Sequence, residues 1–501
     1  MTGLSDYQNI DGFSGDAQSG ADLLKAMQAG QITGRDTANQ GLTQEPLKAE
    51  SLEKTLKLLT FRMQDIRLMN AIPKSTAYNT VEEFLQLDSY GADRGGFYNE
   101  GELSDVEDST YIRRAELVKY IQVTGEVTMQ AQMVRSFVDA YQKEVENKMM
   151  WIMRKVNTAL TKADSSIIPQ EFNGIYKQHA SIGSGQEFSY NNLDAYHNNN
   201  PAVIDLRGAP LTQEIVEEAA INVDDAFGNV DSLFAPPSVI SDLSKDYYEK
   251  QRILLNGSGN SFVGGGVPKA ISTSIGDVNL MTDKFMKSGG AGRKSSKLLT
   301  DNATSQKAPN QVGTTSAALS GADGSSKFST TEGGLGTVFY AVSSLNRYGE
   351  SQLQLINTSA ITLTDGQSVD LTFGAGGGAV PATGYQVYRT KVTDSTDPSG
   401  DNIAFFPLFR VSESERSTGF DGGAAGVVRD RNRYLPDTEQ AFTTEMTDEV
   451  MSFKQLAPIS KLDLAVLSMS RRFISFLFGT VQLYSNKKLV RIINVGKRPN
   501  A

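Results

Sequence analysis

The stretch TMQAQMVRSFVDAYQKEVENKMMWIMRKVNTALTKA, residues 128–163, organises the reading of this chain. Met129, Met133, Phe137, Val138, Tyr141, Val145, Met149, Ile152, Met153, Val156 and Leu160 recur every three or four residues. That period predicts one amphipathic helix, with Thr128 as N-cap and no Gly or Pro before Pro169. At ~1.5 Å per residue it would be roughly 54 Å long, a beam rather than a local element. The other face carries Arg135, Asp139, Lys143, Glu144, Lys148, Arg154 and Lys155, with Glu144 and Lys148 spaced for an i,i+4 pair. The turn MMWIM, Met149 to Met153, is apolar all round, which predicts an enclosed core segment or a subunit contact.

Working outward, residues 1–50 form a polar arm rich in Gly, Gln, Ser and Thr, unable to bury enough apolar surface to fold alone. Residues 51–77 are read as a helical region, with Leu52, Leu56, Leu59, Met63, Ile66 and Met69 on one side and Pro73 as its stop. Residues 78–127 hold two strand-like runs, Val81–Leu87 and Leu117–Val127, read as a two-stranded ribbon. From Glu82 to Asp108 nine carboxylates (Glu82, Glu83, Asp88, Asp93, Glu100, Glu102, Asp105, Glu107, Asp108) face one Arg94. Such a ribbon is unstable alone and must lie on another surface.

Residues 128–175 are the beam, and 176–290 are read as α/β. In that region a helix capped at Thr212 turns Ile215, Ala219 and Val223 inward, and a second helix follows Pro236-Pro237. NGSGNSFVGGGVPK, 256–269, is a loop by composition. Residues 291–307 read as a Gly/Ser/Lys linker. Across 308–442 short runs such as TVFYAVSSLN, SVDLTF and GYQVYRTK alternate with turn residues, predicting an inserted all-β sandwich. In 443–501 Ser460 and Asp463 suggest a capping box before a helix face of Leu462, Val466, Met469 and Phe473, then a hairpin turning at Ser485–Lys487. These last elements are expected to fold back along the beam.

A net charge of −10 argues against dedicated nucleic-acid binding. With no cysteine, thiolate metal sites and disulfides are excluded. No signal peptide or membrane span is visible, so a soluble intracellular product is expected. The two histidines, His179 and His197, sit in polar surroundings and are expected at the surface. GGAGRKSS at Gly289 lacks phosphate-loop spacing, and the acidic cluster Glu100–Asp108 lacks an EF-hand's ligand order. No nucleophile lies near a base, and no catalytic, cofactor or metal residue is assigned.

Several stretches together resemble the major capsid proteins of tailed bacteriophages with the Hong Kong 97 fold, particularly those of contractile-tailed phages. They are ESLEKTLKLLTFRMQDIRLMNAIPKSTAYNTVEEFLQLDSYG (50–91), GGFYNEGELSDVEDSTYIRRAELVKY (95–120), VIDLRGAPLTQEIVEEAA (203–220), LFAPPSVISDLSKDYYEKQR (233–252) and APISKLDLAVLSMSRRFISFLFGTVQLYSNKKLVRIINVG (457–496). The resemblance implies an α+β fold in which the ribbon is an extended loop laid on the adjacent subunit. The long helix is then the spine of a peripheral domain, and 176–290 is the axial domain. It implies a non-enzymatic protein that needs no cofactor and is assembled in the bacterial host cytoplasm. Hexamers and pentamers would close an icosahedral virion shell around double-stranded DNA, with portal and scaffold or decoration proteins as partners. The loop tip, Gly95, Gly96, Phe97, Tyr98, Glu100, Glu102 and Asp105, is expected to dock on a neighbour, and the arm before Ala49 to tie subunits together. Phe137, Tyr141, Met149, Trp151 and Met153 are expected in the spine core.

FYAVSSLNRYGESQ, SVDLTF, ATGYQVYRT and STGFDGG are similar to immunoglobulin- or fibronectin-type-III-like domains displayed on phage surfaces. The alternative is a decoration or adhesion protein acting through that domain.

Overall fold

The computed structural model describes residues 60–89, 97–103, 106, 108–133, 139–179, 202–248, 269–288, 296–329, 335–392, 403–466 and 468–498. The arm before Ala49, Phe137, Gly95, Gly96, Asp105, His197 and most of the 256–269 loop lie outside them.

The helix that organises the chain is shorter than its apolar period. It runs Ala140–Lys162, while Met129–Met133 is a separate five-residue helix. Asp139 sets the start: its carboxylate accepts from the backbone N–H of Tyr141 and Gln142 at 2.9 and 3.3 Å. Asp139 is itself non-helical, at φ −59° and ψ 112°, and its carboxylate satisfies orphan donors of the first turn, so capping overrides the apolar pattern. Ile152, Met153, Val156, Ala159 and Leu160 face inward. Asn157 is buried among them. Its Oδ1 accepts from Met69 N at 2.9 Å and its Nδ2 donates to Asp283 at 2.8 Å. Asp283 also accepts from Leu68 N, so one buried polar pair ties the helix to two other segments. Of the expected helical region 51–77, residues 51–59 with Leu52, Leu56 and Leu59 lie outside the described residues; among those described, 60–66 are not α-helical, Arg67–Ala71 is, and Ile72 ends it before Pro73.

Against this helix lies a sheet ordered Lys74–Thr76, Met451–Asp463, Ser470–Leu483, Lys119–Thr128. Ser470–Leu483 and Met451–Asp463 form a long antiparallel hairpin, which replaces the expected helix with Leu462, Val466, Met469 and Phe473 on one face. Along the later strand Phe473, Ser475, Leu477 and Gly479 are buried with a period of two, and from Gly479 to Leu483 both faces are buried. Phe473 pairs with Gly125, and a Cβ there would collide with the Phe473 ring. The C-terminal segment does fold back on the spine: Tyr141 meets Phe473 edge-on at 5.3 Å.

A second sheet has the order Val203–Asp205, Leu489–Val495, Glu439–Thr444, Ser232–Ala235, Asp277–Thr282, Ala270–Ser272. Helices Gln213–Asp224 and Pro237–Tyr248 belong to this unit. Val216, rather than Ile215, is the buried residue beside Ala219 and Val223. Two boundaries shift. Glu439–Thr444 belongs here and not to the β-rich region. The strands either side of Ser485–Lys487 do not pair with each other: Ser470–Leu483 stays in the first sheet and Leu489–Val495 enters the second.

The β-rich region has two main antiparallel sheets sharing a core, with a short two-stranded one, Thr337–Val338 against Ile361–Thr362, beside them. One has Gly349–Glu350, Tyr340–Asn346, Gly384–Thr390 and Phe405–Ser412, with Gln354–Leu355 also on the Tyr340 strand; the other has Val427–Asp430, Gln367–Phe373 and Thr315–Ala322. Tyr340, Val342, Tyr385 and Val411 from the first pack with Val369, Leu371, Phe373 and Val428 from the second. Val203 and Ile493 of the six-stranded sheet lie in the same core, so the region is not tethered by linkers alone. Nor is 296–307 a free linker: Lys297 pairs with Glu350 at 2.9 Å and exchanges backbone hydrogen bonds with Phe405.

Candidate assembly surface

The ribbon is Val81–Ser89 paired antiparallel with Thr110–Leu117, Val81 opposite Leu117 and Leu87 opposite Tyr111. The expected second strand, Leu117–Val127, instead leaves the ribbon at buried Val118 and joins the spine sheet. Lys119, placed between the apolar positions in the sequence, shares their more covered face with Ile121 and Val123.

Alternation gives the ribbon two unlike faces. Phe84 meets Tyr484 edge-on at 5.0 Å, Gln86 donates to the Tyr484 carbonyl, and Gln482 donates to the Glu82 carbonyl at 3.1 Å. That face rests on the protein's own body. The other carries Val81, Leu85, Leu87, Tyr111 and Leu117, all exposed, around a Glu83–Arg113 ion pair. Leu85 is 71% exposed.

At the tip, Phe97 is fully exposed, and Leu103 and Val106 are more than nine-tenths exposed. Tyr98, Glu100 and Glu102 also face solvent. Asn99 and Glu102 close a turn: Glu102 accepts from the Asn99 backbone and amide at 3.0 and 3.1 Å, with Gly101 at φ +88°. The left-handed φ favours glycine there.

The expected spine residues separate. Met153 is buried, Tyr141 and Met149 half-buried, and Trp151 is 38% exposed. Trp151 was expected in the core; it lies on the polar stripe Glu144, Lys148, Trp151, Lys155, spaced 4, 3 and 4 residues apart. That register was the signal, and the apolar run around it hid it. Trp151→Asp is therefore expected to fold, at a cost of about 1–3 kcal/mol by urea denaturation for the covered part of the indole. The Glu144–Lys148 pair, 2.9 Å apart on the same face, is worth about 0.3–0.5 kcal/mol. Glu144→Ala should shift the same transition by no more than that.

Tyr141 donates to Asp463, while Lys461 and Arg471 sit over its ring at 5.0 and 4.3 Å. Burial of the phenol, then its bond to Asp463, pushes the Tyr141 pKa up. His179 is fully buried rather than at the surface, its Nε2 2.8 Å from the Leu489 carbonyl. Burial, then the nearby Arg491 charge, drives its pKa down to about 3. Among the described residues no three His, Asp or Glu side chains are grouped to hold a metal ion. No described helix is long and apolar enough to cross a membrane.

The family model described as SU10 major capsid protein matches residues 31–336, more than half of the chain. The major capsid protein of Staphylococcus phage K is 22% identical over 95% of both chains. The putative major capsid protein of Enterococcus phage phiEF24C is 22% identical over 92% of this chain and 93% of its own. Among solved structures, the capsid of a native GTA particle aligns over 91% of this chain and 99% of that one, at 7% identity and a TM-score of 0.42. On the extent of the family match, this chain belongs to the SU10 major capsid protein family, a family of structural capsid proteins and not of enzymes.

Proposed function

We propose that the chain assembles with copies of itself into the hexamers and pentamers of an icosahedral phage head with the Hong Kong 97 arrangement. The ribbon serves as its extended loop and Ala140–Lys162 as its spine. The observation that carries this reading is the ribbon's outer face, where Val81, Leu85, Leu87, Tyr111 and Leu117 are exposed around the Glu83–Arg113 pair, while Phe97, Leu103 and Val106 at the tip are bare. Exposed apolar surface of that kind marks a protein contact. The net charge of −10 suits a container that encloses double-stranded DNA without gripping it. On this reading the β-rich region is an immunoglobulin- or fibronectin-like insert on the outer surface. Portal and scaffold or decoration proteins complete the virion, and assembly takes place in the host cytoplasm.

Negative-stain electron microscopy of the purified chain tests it: rings, tubes or shells are expected. The double variant Leu85→Asp/Leu87→Asp should remain folded but yield no particles, because two carboxylates would be buried unpaired at each joint. Particles forming normally from that variant would overturn the ribbon's role.

A further inference from the structure

Where the β-rich region meets the six-stranded sheet, the surface opens into a cleft of about 600 Å³, within the ~300–1,000 Å³ of ordinary ligand clefts. Its walls come from both sides of the seam. Lys391 and Val392 follow the Gly384–Thr390 strand, and Lys497 and Arg498 follow the Leu489–Val495 strand. Five cations line it, Arg207, Arg389, Lys391, Lys497 and Arg498, against one carboxylate, Asp437, in a chain whose overall charge is −10.

Two of the arginines are committed inward, Arg207 to the Asn432 and Lys327 carbonyls and Arg389 to Asp430. The lysines are not. Half-exposed Lys391 and Lys497 both reach the nearly covered Asp437, at 2.7 and 2.5 Å. Burial works against the Asp437 charge, and the two lysines still hold its carboxyl below the usual carboxylate range. Two ammoniums on one carboxylate leave one positive charge there without a counter-charge among the described residues. Arg389 adds a second sign. Its Nε is buried and makes no hydrogen bond among the described residues, although Nη1 and Nη2 are both engaged. A buried donor left open is costly, and an acceptor brought from outside would relieve it.

Between the cations the lining is apolar. Phe328, Val338 and Leu363 reach it from the β-rich core, and Val392 stands exposed. A nucleic acid would satisfy the lysines with phosphate, but its bases need open aromatic faces to stack on. Phe328 is buried and already carries the Arg389 guanidinium at 5.2 Å. An acidic peptide with an aliphatic side chain offers what this cleft lacks, an apolar cover for Val392 and carboxylates for the cations.

We propose that the cleft binds an acidic, aliphatic peptide segment of another protein, its aliphatic side chain on Val392 and its carboxylates on Lys391 and Lys497. Because the walls come from both sides of the seam, the occupant clamps the β-rich region to the six-stranded sheet.

Fluorescence anisotropy on the full chain tests this, with a labelled five-residue peptide of alternating glutamate and leucine as probe. Saturable binding that weakens with salt is expected, and a pentaglutamate probe should bind about tenfold more weakly. Lys391→Gln/Lys497→Gln should weaken binding of the mixed peptide about tenfold, and Val392→Asp at least as much. Lys148→Gln, on the spine helix, should leave it unchanged. Far-ultraviolet circular dichroism checks that each variant is folded. The lysine variant also strips Asp437 of its partners, so Val392→Asp, which breaks no ion pair, carries the test if that variant unfolds. Absence of saturable binding, an affinity unchanged in Val392→Asp, or equal loss in Lys148→Gln would each overturn the proposal. So would tighter binding of a single-stranded oligonucleotide than of the peptide.

Discussion

Asp430→Ala is expected to lower the unfolding free energy by about 3–5 kcal/mol, among the largest losses available to one substitution in this chain. Asp430 is 2% exposed and Arg389 3%. The carboxylate accepts from Arg389 Nη1 at 2.8 Å, the Tyr340 hydroxyl at 2.9 Å and the Asn432 backbone at 2.8 Å. Burial works against the Arg389 charge, yet Asp430 beside it holds the guanidinium pKa above its usual value. Arg389 is engaged further by Asn432 Oδ1 at 2.6 Å and by the Phe328 ring at 5.2 Å. Alanine therefore leaves a guanidinium in the interior without its counter-charge. Breaking such a pair costs far more than the pair contributes over an apolar replacement. Arg389→Met/Asp430→Ala should accordingly recover most of the loss, though the Tyr340 hydroxyl stays unpaired. Urea unfolding of the three variants against the parent measures this. A single-variant loss under about 1 kcal/mol would mean that water reaches the guanidinium.

The position of this pair makes the effect more than local. Arg207, just past the Val203–Asp205 strand, donates to the Asn432 carbonyl at 2.7 Å and the Lys327 carbonyl at 3.1 Å. Loosening the Asp430 network thus loosens the seam between the β-rich region and the six-stranded sheet. Excising the region would also strip Val203 and Ile493 of their packing. An insert expected to stand on its own core turns out to share one.

What was legible in the sequence follows the range of the interactions. The strands at Tyr340–Asn346, Gln367–Phe373, Gly384–Thr390 and Phe405–Ser412 declare themselves because apolar runs and turn residues are local signals. The C-terminal helix reading failed on a coincidence: Leu462, Val466 and Met469 have helical spacing but are 58%, 61% and 64% exposed, and only Phe473 is buried. Apolar residues that share no buried face mimic a period without its cause. The spine's start was misread because one capping carboxylate, Asp139, outweighed an apolar pattern extending past it. The ribbon's existence was legible, but its second strand was not. Which of two adjacent runs pairs with Val81–Ser89 depends on Ser470–Leu483 claiming the other, more than 340 residues along the chain.

His179 shows the same limit and carries the second large effect. Its neighbours in sequence are polar, but its contact is the Leu489 carbonyl, 310 residues away. Buried neutral with a pKa near 3, it takes up no proton in the folded chain where an exposed histidine, near pH 6.5, would. As pH falls below about 6.5 the unfolded chain gains a proton that the folded chain refuses, so stability falls by about 1.4 kcal/mol per pH unit. The window extends down to the folded pKa of about 3, so by pH 4.5 this one group has removed roughly 3 kcal/mol. Glu439 opposes it: burial raises that carboxyl's pKa, so its protonation in the fold offsets part of the slope as pH falls. Asp323, held down to about 2 by Ser368 and Arg431 against the cost of its burial, adds its own loss only below the ordinary carboxylate range. Between pH 7 and 4.5 the histidine therefore supplies the downward slope and Glu439 opposes it. His179→Gln, whose amide can still donate to Leu489, should flatten the urea midpoint across that range. An unchanged pH profile in that variant would mean that His179 is solvated and protonates in the fold.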